Sequence, residues 1–211
     1  MTAIASCRPM ADCAPEIAAN QLTAQQSWRP VFEDIVLFNE QEPGLASGQT
    51  TFIPSENWPK IKELVHFASL LPDWSCIINA DIVVSLDFLH VEHSLRKIGA
   101  NCATSSRYEF EPLNPVVPKR VMDLGLDIFC ATPEVWKAML PLVPDAFRIG
   151  HTQWDSFTLG FLNDNFGGRF FDFTPAEVIY HPKHGNRKTA HEVPAGLTPF
   201  SNFAMPFKKI I

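Results

Sequence analysis

Cys76-Ile77-Ile78-Asn79-Ala80-Asp81-Ile82-Val83-Val84 is the stretch that decides how this chain is read. Its apolar, largely β-branched residues mark a strand buried on both faces, the kind found in parallel sheets covered by helices. Asn79 and Asp81 interrupt the run two positions apart, and strand alternation sends both side chains to one side. A carboxylate at the end of a buried strand needs a cation, a metal ion or a set of hydrogen-bond donors. The alternative is local: Asn and Asp open turns by bonding their own backbone.

Outward from that strand, strand-like and helical patterns alternate. Residues 2–7 and 35–38 read as strands, with a helical spacing of Ile17, Ala24 and Trp28 between them. Asn57-Trp58-Pro59 reads as a helix start with proline in the first turn. Ile61, Leu64, Val65 and Ala68 then mark one helical face. A second helix is expected over 86–98, stopped by Gly99. Residues 103–110 read as strand or loop, and 112–121, broken by Pro112, Pro115 and Pro118, as a loop. Further strands are expected at 127–130, 169–171 and 178–180, with a helix opened by Thr132-Pro133-Glu134. This alternation predicts an α/β fold with a mainly parallel sheet flanked by helices, and ligands in such sheets bind outside the carboxyl ends of the strands. Ser6, Asn79 and Asp81 fall at or near such ends.

The composition fits a globular domain: 211 residues, 46% hydrophobic and 19% charged. No apolar run approaches the ~20 residues of a membrane span, and the first residues lack a basic signal-peptide region, so a cytoplasmic location is expected. The five cysteines form no CxxC pair, and Cys76, Cys102 and Cys130 read as reduced, packed thiols. The net charge of −6 argues against broad binding of nucleic acid or anionic membranes. The sign reverses after residue 181, where Lys183, Arg187, Lys188, Lys208 and Lys209 stand against Glu192 alone. That tail is either a clamp for a phosphate-bearing ligand or a solvated end.

Neither GxGxxG nor GxxxxGK[ST] is present, nor GxSxG, nor HExxH, which lowers dinucleotide, P-loop, α/β-hydrolase and zincin chemistry. Polar chemistry concentrates instead at Asn79/Asp81, Gly125-Leu126-Asp127, Trp154-Asp155 and His181-Pro182-Lys183-His184. Asp81 with a late histidine suits one divalent ion, Mn2+ or Mg2+, if a substrate diphosphate supplies further oxygens. Trp154 beside Asp155 suits a sugar, with the ring on its C–H face and the carboxylate on its hydroxyls. Ordinary core packing for Trp154 and a helix cap or turn for Asp155 and Asp127 are the competing readings.

Taken in order, these segments resemble the GT-A class of nucleotide-sugar glycosyltransferases, in the manner of its family 2. Asn79-Ala80-Asp81 stands where that class has its acidic DxD motif. Ile4-Ala5-Ser6-Cys7, 21–28 and 35–38 resemble its opening strand, helix and strand. Gly125-Leu126-Asp127-Ile128-Phe129 is similar to its GxDxF strand, Ile149-Gly150-His151-Thr152-Gln153-Trp154-Asp155 to its GR..WD segment, and residues 178–184 to its closing strand. The likeness runs from about residue 3 to 186. Two positions depart from it: Asn79 replaces the first acid, and His151 stands where the pattern has arginine.

The resemblance implies a GT-A-like domain over 1–186, with 187–211 as a basic extension packing on or near the donor site. It implies transfer of a sugar from a nucleoside diphosphate sugar, a UDP-sugar first among them, to a hydroxyl acceptor. Ser6, Arg8, Asn79, Arg107 and Lys183 would bind the donor, and Asp81 with His181 or His184 the metal. Asp127 and Trp154 would contact sugar or acceptor, and Asp155 would be the base of an inverting reaction or a positioning group in a retaining one. The acceptor is left open among saccharide, small molecule, protein and modified nucleic-acid base. Two alternatives stand: a nucleotidyltransferase, for which Arg8 lacks the accompanying glycines, and a sugar-nucleotide-binding protein without turnover.

Overall fold

The computed structural model describes residues 1–7, 13–40, 50–56, 58–111, 114–120, 126–150, 154–182 and 208–209. In chain order the elements are β1 (Thr2–Ala5), α1 (Pro15–Trp28), β2 (Asp34–Asn39), β3 (Thr50–Pro54), α2 (Ile61–Leu70), β4 (Ser75–Ile78), β5 (Val83–Val84) and α3 (Phe88–Lys97). There follow β6 (Cys102–Ser106), β7 (Tyr108–Glu111), β8 (Asn114–Arg120), β9 (Leu126–Ala131), α4 (Pro133–Met139), α5 (Trp154–Phe166), β10 (Phe170–Asp172), β11 (Ile179–Pro182) and β12 (Lys208–Lys209). Eight strands form one sheet in the order β12-β10-β6-β9-β4-β1-β2-β3, and four form a second, β5-β11-β7-β8. All neighbours in the large sheet are parallel except β9, which runs against both β4 and β6.

Strand alternation divides the large sheet's side chains between two cores. Ala3, Ala5, Ile35, Leu37, Cys76, Ile78, Ile128 and Cys130 face α1 and α3, where Trp28, Phe88 and Leu95 pack. Ile4, Val36, Ile77 and Phe129 face the other way, onto Leu64, Val65, Trp136, Trp154 and Leu162 of α2, α4 and α5. The buried indoles keep their N–H groups bonded: Trp28 Nε1 donates to the Ile82 carbonyl at 2.7 Å and Trp136 Nε1 to Ser75 Oγ at 2.9 Å. The α/β class and the mainly parallel, helix-covered sheet are as the sequence predicts.

Several local expectations are corrected. The 76–84 run is two strands in two sheets, because the backbone turns between them: the Ile82 N–H donates to the Asn79 carbonyl at 3.2 Å, closing a four-residue turn. The proline-broken stretch expected as a loop forms β8, at an edge of the small sheet, where a missing N–H can face away from its partner. The helix expected from Trp58 starts later. Trp58 has φ 66°, Lys60 pairs with Arg148, and the first N–H of α2 donates to the Phe147 carbonyl at 3.0 Å. Cys76 and Cys130, read as separate thiols, are partners across the β4–β9 ladder with Cα atoms 4.1 Å apart, and are joined as a disulfide.

Of the basic extension, Lys208–Lys209 is described, pairing as β12 beside β10 at one edge of the large sheet. No helix among the described residues is long and apolar enough to cross a membrane.

Candidate active site

The carboxyl ends of β1, β2, β4 and β6 point to one edge of the large sheet, and the reversed strand β9 brings its amino end to the same edge. This geometry assembles side chains from distant parts of the sequence. Asn79 and Asp81 lie in the turn after β4, Arg107 between β6 and β7, Asp127 at the start of β9, and His181 on β11.

Asp127 sits at an irregularity of the ladder. Ser105 pairs with Ile128 and Ser106 with Leu126, so the register steps over Asp127. Such a step re-aims a side chain and is common beside functional sites. Asp127 is 5% exposed, and both its carboxylate oxygens are used. Asn79 Nδ2 donates to Oδ1 at 2.6 Å, and Arg107 donates to Oδ2 in a part-buried ion pair. The Asn79 backbone N–H also reaches the Asp127 carbonyl at 2.9 Å. Burial works against the charge of Arg107, but Asp127, Asp81 and Glu109 outweigh it and raise its pKa.

Asp81 faces His181, with Oδ2 and Nε2 3.3 Å apart across 100 residues of sequence. The antiparallel pairing of β11 with β5, which places Tyr180 opposite Val83, creates this contact. The histidine is 7% exposed and the Asp81 carboxylate partly open. Oxygen and imidazole nitrogen converging in this way suit two ligand positions on one divalent ion. Among the described residues no group of three or more His, Cys, Asp and Glu side chains could hold a metal, so further oxygens would come from substrate and water.

The structure adds residues that the sequence reading missed. Asn39, at the end of β2, accepts from the Cys7 N–H at 2.9 Å and donates to the Cys7 carbonyl, pinning the segment that leaves β1. Helix α1 buries a polar stripe toward the same segment: Gln25 Nε2 donates to Cys7 Sγ at 2.7 Å and Gln21 Nε2 to Cys13 Sγ at 3.5 Å. Burial, then Asp81 and Cys13, push the Cys7 thiol up, so it stays protonated. The only signal for Asn39 was a polar residue closing the apolar run 35–38. Under Arg107, Thr174 ties the sheet ends together: its Oγ1 accepts from Ser106 N–H at 2.8 Å and bonds Asp172 Oδ1 at 2.5 Å.

Of the residues expected at the site, Asn79, Asp81, Arg107, Asp127 and His181 come together, and Ser6 lies half-buried just after β1. Trp154 is elsewhere in character. It is 3% exposed and packs edge-on against Phe129 with ring centroids 5.4 Å apart, so its faces serve the core rather than an open sugar surface. Asp155 opens α5, half-buried, and accepts from the Ser156 N–H at 2.8 Å. Gly150 has φ 76°, and a Cβ there would stand 2.5 Å from the Trp58 ring, which gives that glycine a packing role. Arg8, His151, Lys183 and His184 lie outside the described residues. A separate depression of about 580 Å³, lined by Asn101, Asn163, Phe166 and Arg169 among others, opens at the amino end of β6, away from Asp81.

No family model and no curated protein matches the sequence. Among solved structures the chain is similar to TarS 1–349 of S. aureus, with a TM-score of 0.58 at 9% identity, covering 86% of this chain and 60% of that one. TarS 1–349 in complex with UDP-GlcNAc gives 0.57 at 10% identity, covering 91% and 61%, and a longer TarS structure 0.59 at 9%, covering 86% and 36%. The chain therefore spans less than two thirds of the length of these structures. At such identities the likeness shows the fold alone, and that fold is the GT-A-like one of nucleotide-diphospho-sugar transferases.

Proposed function

We propose that this chain binds a nucleoside diphosphate sugar at the carboxyl edge of the large sheet and transfers the sugar to a hydroxyl acceptor. The observation that carries the reading is the meeting of Asp81 and His181 at 3.3 Å beside the Asp127-held Arg107, in a fold that in TarS accommodates UDP-GlcNAc. A UDP-sugar is the first donor to test.

Each residue has a role that follows from its chemistry. Asp81 and His181, with His184 as a further candidate, would hold a Mn2+ or Mg2+ ion. Bound there, such an ion would neutralise charge on the leaving diphosphate. Arg107 offers a permanently charged guanidinium to the phosphate oxygens, and Arg8 and Lys183 are proposed to join it. Ser6 and the segment pinned by Asn39 lie where the nucleoside would be gripped. Asp155, in the first turn of α5, is proposed as the acceptor-side carboxylate.

The test is thermal stabilisation by nucleoside diphosphates and their sugars, with and without Mn2+, followed by release of the nucleoside diphosphate in the presence of acceptors. Ligand at a hundred times its Kd stabilises the native state by about 2.7 kcal/mol. The expected result is a shift with one nucleotide that grows in Mn2+ and falls at least tenfold in affinity in Asp81→Ala, the loss expected of a charged partner. Affinity unchanged in that variant would overturn this site. A second reading, a sugar-nucleotide-binding protein without turnover, is favoured by Asn79 standing in the acidic motif; binding without release of the nucleoside diphosphate would select it.

A further inference from the structure

We infer that Asn79 is a positioning residue whose amide holds Asp127 and, through it, Arg107 against the diphosphate. On this view the site needs an amide at this position rather than the acid it replaces. The inference rests on the donor-site reading above. Read by motif alone, Asn79 is a metal ligand that has lost its charge. Its geometry gives it another task. Its Nδ2 points at Asp127 Oδ1 from 2.6 Å, so the nitrogen, which cannot ligate a metal, is committed to the neighbouring carboxylate.

The arrangement is closed on both sides. Asp127 is buried, with one oxygen on Asn79 and the other on Arg107. The second bond between Asn79 and Asp127, backbone to backbone at 2.9 Å, fixes the distance between their α-carbons. The disulfide between Cys76 and Cys130, two ladder positions from the Ile78–Ile128 pair, holds the same two strands. The two side chains therefore cannot drift apart to relieve a mismatch. A carboxylate at position 79 would face another carboxylate at that separation, and like charges so close oppose one another strongly. The surrounding charge makes this worse: Asp81, Asp127 and Glu109 already share the positive field of Arg107.

Arg107 is the group whose position is at stake. Its bond to Asp127 uses one of the five guanidinium donors and leaves others for phosphate oxygens. Its chain position at the junction of β6 and β7 offers no helix to hold it, so the anchor comes from Asp127. If Asp127 turned from Arg107 to escape a second carboxylate, the guanidinium would lose its aim and the diphosphate a cation.

The experiment compares Asn79→Asp, Asn79→Ala and the exchange Asn79→Asp with Asp127→Asn. The exchange keeps every hydrogen bond: the amide moves to β9, donates to the new acid, and offers its oxygen to Arg107. Calorimetric affinity for UDP, GDP, ADP, CDP and dTDP is measured with and without Mn2+, and thermal melts check that each variant folds. Asn79→Asp is expected to weaken the nucleotide that binds the natural chain by about tenfold or more, and the exchange to recover to within about threefold, the pattern of a coupled pair. Asn79→Ala, which loses the bond without adding charge, falls between. Asn79→Asp binding as tightly as the natural chain, or more tightly in Mn2+, would make Asn79 a lapsed metal ligand and end the inference. An exchange no better than Asn79→Asp would do the same. Should Asn79→Asp not fold, Asn79→Ala and the exchange decide between these outcomes. No binding of any of the five by the natural chain would bring down the donor-site reading, and this inference with it.

Discussion

In the eight-stranded sheet, every residue of β1, β4 and β9 is buried, and the side chains divide between two helix-covered cores. In the four-stranded sheet, β5 and β11 mix buried with half-buried residues, and β8 carries two prolines. The first sheet is held by apolar burial and gathers Asn79, Asp81 and Asp127 at its carboxyl edge. The second lends Val84 and Ile179 to the core under the first, and it carries the histidine that meets Asp81. Stability and ligand chemistry are thus lodged in different parts of one structure. The site lies where the two sheets meet, and the large sheet sets its frame.

Three measurements press on that division. The largest effect is expected from Phe129→Ala in β9. Phe129 is fully buried against Trp154, and its loss is expected to cost about 3–5 kcal/mol in urea unfolding, as large-to-small core changes do. A cost below about 1 kcal/mol would remove the contrast between the sheets, since loss of a packed core phenylalanine costs about 3–5 kcal/mol. Next is His181→Gln, which keeps a polar side chain of similar reach on β11. Stability is expected to change by about 1 kcal/mol, the worth of one hydrogen bond, while nucleoside diphosphate affinity in Mn2+ falls about tenfold. A loss of stability as large as that of Phe129→Ala would place the small sheet in the structural frame instead.

The smallest effect belongs to the surface. Arg96 grips the half-exposed Asp73 through two bonds of 2.8 Å and holds its carboxyl below the usual range, by hydrogen bond first and charge second. A lowered folded-state pKa means stability present at neutral pH and lost as pH falls from about 4, the unfolded value, through the folded one. Asp73→Asn is expected to cost at most about 1 kcal/mol at pH 7 and low salt, less in high salt, and nothing once the pH is well below 4. Unfolding curves at the two pH values and two salt concentrations check this. A cost that persisted in acid would mean that the pair is not what Asp73 contributes.

The middle of the large sheet was legible because its strands are what the pattern describes, whereas the half-exposed β3 at its edge was not read. Ile35 to Phe38, Cys76 to Ile78 and Ile128 to Ala131 are apolar runs covered on both faces. Of the small sheet only β11, expected at 178–180, was plain. Its β5 is the tail of an apolar run whose head belongs to another sheet, and hydropathy does not register the turn at Asn79–Ile82. Asn79 and Asp81 marked that turn as plainly as they marked a site, and they serve both. Pro115 and Pro118 read as breakers because an edge position is a fact of tertiary structure. At the site, Asp81 with His181 and the involvement of Arg107 and Asp127 were readable as chemistry. Asn39, Gln21 and Gln25 were not, since an amide that clamps a backbone looks in sequence like any other amide. Trp154 beside Asp155 looks the same whether the ring faces a sugar or Phe129.

The 100 residues between Asp81 and His181 have a consequence for how the molecule comes to exist. Contacts between residues so far apart in the chain must close a long loop before they reward it, and non-local pairing of this kind is slow to form. The strands β1 and β2 can pair across 32 residues, from Thr2 to Asp34, but the Asp81 turn meets its histidine only when β11 folds back onto β5. A refolding chain would regain its buried tryptophan signal before it could hold a ligand. The appearance of binding would then time the last step of folding rather than the first.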